Sequence, residues 1–340
     1  MASSPATDPY AGRRVLITGG SGFLGLNLVA ALRGKAAELR TLSRGPLPDP
    51  GEVDGGTEGV RHFLGDLRDR ALVEAATAGC DVIFNLAAHS GPASSNQEPF
   101  EDLDTNLNAQ LTLLEVCRTL DPTPTIVFAS SRLVYRPTDR LPVAETALTG
   151  PLSIYGVHKL AAEHYHLLYG ALYGLKTVVL RITNPYGRYQ RLGENRYGII
   201  NWFIHRAVNG QTLPIYGDGH QIRDYVSAED VVRALLLSGT EPSALGQILN
   251  VGSGQGLSIH EAAAAIVEAA GQGTIECVPW PKDAASVETG DFVADVRRIG
   301  SVLGWQPSVA PQAGLQRVVR EYRQMEQLRA GSAIGEGGRP

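Results

Sequence analysis

The run Gly19-Gly20-Ser21-Gly22-Phe23-Leu24-Gly25 narrows the folds open to this chain more than any other feature. It follows a short apolar stretch, Val15–Thr18, and opens a stretch with helical spacing, Leu24–Leu32. Glycines let the backbone turn tightly and let a phosphate come close. A helix starting there presents free amides and the positive end of its dipole. In that setting the run predicts a pyrophosphate site built from Gly19, Ser21, Gly22, Phe23, Leu24 and Gly25. Apolar runs then alternate with helical patterns. Leu39–Leu42, Val82–Leu86, Thr125–Ala129 and Thr177–Leu180 read as buried strands. Arg70–Thr77, Leu103–Leu120 and Ile154–Tyr173 read as helices between them.

That alternation predicts an α/β fold, a Rossmann-type doubly wound parallel sheet with helices on both faces. After Arg181 the regularity fades and arginines cluster (Arg181, Arg188, Arg191, Arg196, Arg206, Arg223), which suggests a smaller C-terminal substrate lobe. The expected division is 13–181 plus about 226–252 for the dinucleotide domain, and about 182–225 plus 253–325 for the lobe. Residues 1–12 and 329–340 are small, polar and Gly/Pro-rich, and are expected to be flexible tails. The 340 residues carry a net charge of −5, which argues against a general nucleic-acid binder. No apolar run is long enough to span a membrane. Three scattered cysteines, Cys80, Cys117 and Cys277, read as reduced residues of a cytoplasmic protein.

The end of the second strand, where a carboxylate commonly holds the ribose diol, carries Ser43 and Arg44. A hydroxyl and a guanidinium suit a 2′-phosphate, so NADP is favoured or tolerated beside NAD. The alternative is that Arg44 stacks on adenine or faces solvent. Asp66, after the third strand, is placed to accept from the adenine amine. Further along, Tyr155 and Lys159 lie four residues apart, one turn on a helix. An ammonium beside a phenol favours the phenolate, and a nicotinamide cation favours it further. The pair is therefore expected to accept the proton of a hydroxyl that is losing a hydride.

Together these residues resemble the extended short-chain dehydrogenase/reductase family, in its nucleotide-sugar epimerase/dehydratase branch. The resemblance runs from about residue 13 to about residue 318. Besides the glycine loop it rests on Gly65-Asp66-Leu67, Asn85-Leu86-Ala87-Ala88, Asn106, Ser130-Ser131, Tyr155 with Lys159, and Arg181 through Gly187. It continues through Tyr216 to Gly219, Arg223-Asp224-Tyr225, Asn250 to Gly254 and Leu303-Gly304-Trp305. The resemblance implies Ser131, Tyr155 and Lys159 as the catalytic group, with Lys159 also holding the nicotinamide ribose. It implies Leu67, Leu86, Ala87, Ala88 and Asn106 at the cofactor, which would be NAD or NADP, tightly bound. It implies Asn184 and Arg223 on the diphosphate of a nucleotide-diphosphate sugar, and Arg191 is a further candidate there. Arg181 and Arg223 together read as the substrate anchor.

Within that family, dehydratases need an acid–base carboxylate after the serine, and decarboxylases a glutamate two places beyond it. Here those places hold Arg132 and Leu133. The simplest remaining reaction is 4-epimerisation: oxidation, rotation of the keto-sugar and return of the hydride to its other face. An NADPH-dependent keto-sugar reductase is the rival enzyme, and a non-catalytic dinucleotide-binding regulator the rival of another class. The chain departs from the family's pattern near Ser90 and at Arg136, where a glycine is customary. Arg132 reads either as a contact for an anionic sugar such as a uronate or, as for most arginines, as an outward salt-bridging residue; the outward placement is the expectation. His158, His164 and His166 do not share a helix face and read as surface or interface residues, with no metal site. The resemblance also implies a homodimer packed through Leu103–Leu120 (Leu107, Leu111, Leu114) and Ile154–Tyr173 (Leu160, Leu167, Leu168).

Overall fold

The computed structural model describes residues 8–336 apart from 90 and 191–197, and the side chains of the final helix up to residue 324. Ser90, Arg191 and Arg196 lie outside the described residues. The elements run β1 (Arg14–Thr18), α1 (Phe23–Leu32), β2 (Glu38–Ser43), β3 (Arg61–Leu64), α2 (Arg70–Thr77), β4 (Val82–Asn85), α3 (Pro92–Gln97), α4 (Pro99–Leu103), α5 (Ala109–Cys117) and β5 (Thr125–Ser131). There follow α6 (Ile154–Tyr173), β6 (Lys176–Ile182), β7 (Asn184–Tyr186), α7 (Ile199–Val208), β8 (Thr212–Tyr216), β9 (Ile222–Ser227), α8 (Ala228–Thr240) and β10 (Ile248–Val251). The chain ends with β11 (Gly256–Ser258), α9 (Ile259–Ala270), β12 (Thr274–Val278), α10 (Lys282–Ala285), α11 (Arg297–Leu303) and α12 (Pro311–Glu336).

Seven parallel strands form the main sheet in the order β10-β6-β5-β4-β1-β2-β3. Its central strand β4 is buried at all four positions, and β1 at all but its first, because helices cover both faces. Val15, Ile17, Val82, Phe84, Val127 and Val178 meet α1 and α8 on one side. Leu16, Ile83 and Ile126 meet α2 and α5 on the other. Beyond the carboxyl edge lie a three-stranded sheet (β11-β9-β7) and a parallel pair (β12-β8), packed on α7, α9 and α12 around Phe203, Tyr186 and Tyr225.

Buried carboxylates tie these layers together. Asp224 on β9 is wholly buried. It accepts from the Ser253 amide at 2.6 Å, the Ser253 hydroxyl at 2.7 Å, the Ala294 amide at 3.0 Å and the Gly254 amide at 3.1 Å. Burial pushes its carboxyl up, and the four donors pull the other way. Asp230 on α8 does the same for the Ser308 and Val309 amides beyond Trp305, whose indole donates to the Asp230 carbonyl at 3.0 Å.

Several expectations change. The helix expected over 103–120 starts earlier, at Pro99, and is interrupted by a π-helical turn over Asp104–Asn108. Residues 8–12 are not a loose tail: Tyr10 is buried against Phe84, and its hydroxyl donates to the Leu236 carbonyl at 2.6 Å. At the other end α12 continues as helix to Glu336, into the stretch expected to be flexible. Leu114, expected on a dimer face, is buried in the core, whereas Leu168, Leu172 and Tyr173 of α6 are exposed. His166 is wholly buried, stacked on Phe128 with ring centroids 4.3 Å apart, and burial pushes its imidazole down to about 4.

Removing Asp224 leaves the amides of Ser253, Gly254 and Ala294 without their acceptor, so Asp224→Ala should lower stability by about 3 kcal/mol or more in urea unfolding. A loss below about 1 kcal/mol would contradict its role as the tie between lobe and sheet.

Candidate functional site

The sheet order reverses between β1 and β4, and a crevice opens at the carboxyl ends of those strands. It widens into a cleft of about 710 Å³ reaching from the glycine loop to Asn184 and Arg223. At Gly19 the backbone is left-handed (φ +70°), and at Gly25 a Cβ would sit 2.3 Å from the Gly19 carbonyl, so both positions need glycine. No side chain caps α1 at Gly22, which leaves its first-turn amides to a ligand. Under the loop, Thr18 donates to Asn85 at 2.9 Å and accepts from the Ala87 amide at 3.1 Å. Asn85 donates in turn to Gln110 at 2.5 Å. Sequence reasoning missed Thr18 and Gln110. A buried glutamine between Ala109 and Leu113 on an apolar helix face was the available signal.

Gly19, Ser21, Gly22, Phe23, Leu24, Gly25, Ser43, Arg44, Asp66, Leu67, Leu86, Ala87 and Ala88 all line the cleft. This uncapped, glycine-cradled helix start fits the pyrophosphate of a dinucleotide. Ser43 donates to the Gly45 carbonyl at 3.0 Å, and exposed Arg44 lies 3.7 Å from Glu101. Asp66 is paired with Arg68 at 2.9 Å, and that pairing holds its carboxyl below the ordinary value. Asn106, expected at the cofactor, is instead wholly buried and outside the lining. It accepts from the His89 amide at 3.1 Å and donates to the His89 carbonyl at 2.8 Å and to Asp102 at 2.9 Å. It braces the loop after β4 rather than lining the cleft.

Ser131 ends β5 and accepts from the Leu133 amide at 3.2 Å. Facing it is α6, whose start is fixed by Ser153 accepting from the Gly156 amide at 3.2 Å and whose end is fixed by Gly174 in the left-handed region. That helix sets Tyr155 and Lys159 one turn apart in the cleft wall. The Lys159 ammonium donates to the Ala129 carbonyl at 2.9 Å and lies 5.9 Å from the centre of the Tyr155 ring. Burial dominates both groups. It pushes the Tyr155 phenol up to about 12, against the pull of the Ser131 hydroxyl. It pushes the Lys159 ammonium down to about 8, against the carboxylates of Asp102 and Glu163. The expected phenolate-favouring effect of the lysine is therefore overridden in the protein alone.

At the far end, Asn184 donates to the Asp224 carbonyl at 3.0 Å, and Arg223 pairs with Glu288 at 2.5 Å. Arg181, expected to anchor substrate, is buried away from the cleft in an ion pair with Glu163 at 2.6 Å. Arg132 is not an outward salt-bridging residue. Its Nε donates to Asn184 at 3.3 Å and a terminal nitrogen to the Thr289 hydroxyl at 2.8 Å. The His158 Nδ1–H donates to the buried Asp102 carboxylate at 2.7 Å.

The fold and cleft define an α/β protein with a dinucleotide site at the switch point of its sheet. Residues 15–252 match the family model described as the NAD dependent epimerase/dehydratase family. A putative UDP-glucose 4-epimerase of Methanocaldococcus jannaschii is 32% identical over 307 residues, covering 90% of this chain and 97% of that one. The structure of epimerase Mth375 from Methanothermobacter thermautotrophicus is 28% identical with a TM-score of 0.85, covering 96% of this chain and 97% of that one. MoeE5 in complex with UDP-glucose and NAD is 32% identical with a TM-score of 0.82, covering 92% of this chain and 99% of that one. The chain belongs to the NAD-dependent epimerase/dehydratase family of enzymes, and its cofactor is of the NAD type.

Lys159 gives a pH dependence of definite sign. Its ammonium titrates near 8 in the folded chain and near 10.5 unfolded. Between those values the unfolded chain binds the extra proton, so stability rises with pH; the contribution is full above the upper value and lost as pH falls through the lower one. Relative to Lys159→Met, cofactor-free wild type should gain about 2 kcal/mol in urea unfolding between about pH 7 and about pH 10. A gap that does not change with pH would show that the ammonium is not depressed.

Proposed function

We propose that the protein is a nucleotide-sugar 4-epimerase. The observation that carries this reading is the makeup of the cleft wall. Among its described residues Asp66 is the only carboxylate, and it lies beside Arg68, away from Ser131. The buried acids nearest the reacting corner are engaged: Glu163 with Ser130 and Arg181, Asp102 with His158 and Asn106. Elimination or decarboxylation needs a carboxyl group to move a proton at a carbon next to the keto group, and none is offered there. A hydroxyl, a phenol and an ammonium suffice for reversible oxidation at one carbinol.

A bound nicotinamide supplies hydride acceptance and return, and its cationic form supplies the positive charge that the buried phenol lacks. Tyr155 takes the proton of the sugar hydroxyl and later gives it back. Ser131 holds the reacting oxygen in line with the phenol. Lys159, anchored on the Ala129 carbonyl, keeps a cation beside the phenolate and is placed to hold the nicotinamide ribose. Arg223 and Asn184 are proposed to take the diphosphate, with the Arg223 fork exchanging Glu288 for phosphate oxygens. The β2 end carries Ser43 and Arg44 rather than a carboxylate, which favours acceptance of NADP beside NAD.

Protein loaded with cofactor should interconvert the 4-epimers of a nucleotide sugar with no nicotinamide added. Tyr155→Phe should slow turnover by roughly 10²- to 10⁴-fold while cofactor binding is retained. Near wild-type turnover in that variant would end the proposed role of Tyr155. Stoichiometric consumption of NADPH in place of interconversion would move the protein to the reductases.

A further inference from the structure

Asp102, on α4, is a wholly buried carboxylate with no part in the proton transfer described above. It gathers groups from three other places in the chain. The His158 Nδ1–H of α6 donates to it at 2.7 Å, and the Asn106 amide of the π-helical turn at 2.9 Å. His89, in the loop after β4, brings an imidazole nitrogen to 3.7 Å. Residues on both sides of His89 line the cleft, Leu86 to Ala88 before it and Gly91 and Pro92 after it. His158 lies between Tyr155 and Lys159 on α6. The start of that helix is pinned from α3, where Asn96 accepts from the Ile154 amide and Ser95 from the Tyr155 amide, each at 3.0 Å. One carboxylate thus joins the loop beside the cofactor site to the helix that carries the acid–base pair.

Among the described residues, only the two imidazoles lie within ion-pair distance of Asp102; no guanidinium or ammonium neutralises it. Glu163, the buried acid one turn beyond Lys159, is already held by Arg181 at 2.6 Å. Asp102 is therefore the buried negative charge left to Lys159. In a low dielectric a carboxylate favours a neighbouring ammonium and disfavours a neighbouring phenolate. Burial depresses the Lys159 ammonium, and Asp102 opposes it ahead of Glu163. Burial raises the Tyr155 phenol, and Asp102 adds to the rise.

We infer that Asp102 is a positioning residue of the reaction, which fixes α6 against the cofactor loop and is the counter-charge that keeps Lys159 cationic beside Tyr155. This inference rests on the Tyr155–Lys159 chemistry proposed above. The titratable groups around Asp102 are His89 from the loop and His158, Lys159, Tyr155 and Glu163 from α6. The π-helical turn presents Asn106, which carries no charge, and Asp104 of that turn pairs with Arg68 instead. Protonating either imidazole would cancel the carboxylate, so its support of Lys159 is greatest where both are neutral.

The test is the titration of Lys159 itself. The lysines of the chain are Lys35, Lys159, Lys176 and Lys282, so NMR of protein carrying lysine labelled at the ε carbon resolves it, with Lys159→Met for assignment. In the cofactor-free protein it should titrate at about 8 in wild type. In Asp102→Asn it should titrate about one pH unit lower or more. His158→Gln keeps the carboxylate and should leave Lys159 where wild type has it. Asp102→Ser, which also removes the charge, gives the same reading should the amide fail to fold. In the cofactor-loaded protein, both limbs of the pH profile of turnover should move to lower pH in Asp102→Asn. Losing a negative charge lowers phenol and ammonium alike, whereas a packing defect slows turnover without moving the limbs. A Lys159 titration unmoved in Asp102→Asn, or lowered as far by His158→Gln, overturns the inference. Wild type that turns over no nucleotide sugar overturns the epimerase reading, and the cofactor-free titration still decides the role of Asp102.

Discussion

A polar network buried under the cleft fixes where the reacting groups stand. Glu163 lies on α6 one turn beyond Lys159, and it accepts from Ser130 on β5 and from both sides of the Arg181 guanidinium on β6. Burial alone would lower the arginine, but the carboxylate against it keeps it firmly protonated. The same guanidinium lies over the Tyr135 ring at 4.6 Å, and Tyr135 donates to Asn250 on β10 at 2.7 Å. One helix and three strands are thereby locked in register by groups that cannot be left unpaired. Tyr155 and Lys159 inherit their positions from that lock, and Ser131 follows Ser130 in the chain.

The chemistry follows from what the lock leaves over. Every buried acid near the corner is consumed by structure, so the open groups are a hydroxyl, a phenol and an ammonium. Burial makes the phenol a weaker acid and the ammonium a stronger one, and the protein alone therefore holds both nearer neutrality. Charge must arrive with the ligands for proton transfer to become favourable. At the far end of the cleft the Arg223 guanidinium lines the wall and is paired with Glu288.

Much of this was legible in the sequence, and the reasons are local. The glycine loop showed itself because strand, turn and helix lie within about twenty residues of one another. The expected span of α6, Ile154–Tyr173, matches its observed ends, which Ser153 and Gly174 cap. The unreadable parts depend on distant partners. The inward turn of Arg132 is set by Thr289, 157 residues away, and by Phe292. Arg181 looked like one more substrate arginine because nothing in its surroundings along the chain announces Glu163. Asn106 carries a family position, but only the fold shows that its side chain serves the His89 backbone. The direction of the Tyr155 shift needed burial, which is a tertiary property.

The central claim is that a hydride leaves and returns to the same sugar carbon inside one cleft. The most direct measurement gives the cofactor-loaded protein a nucleotide sugar carrying deuterium at C4 and follows the label by NMR and mass spectrometry in ordinary water. The account predicts the 4-epimer with deuterium still at C4 and no hydrogen drawn from solvent. Loss of the label to water, or its appearance in released reduced cofactor, would contradict it.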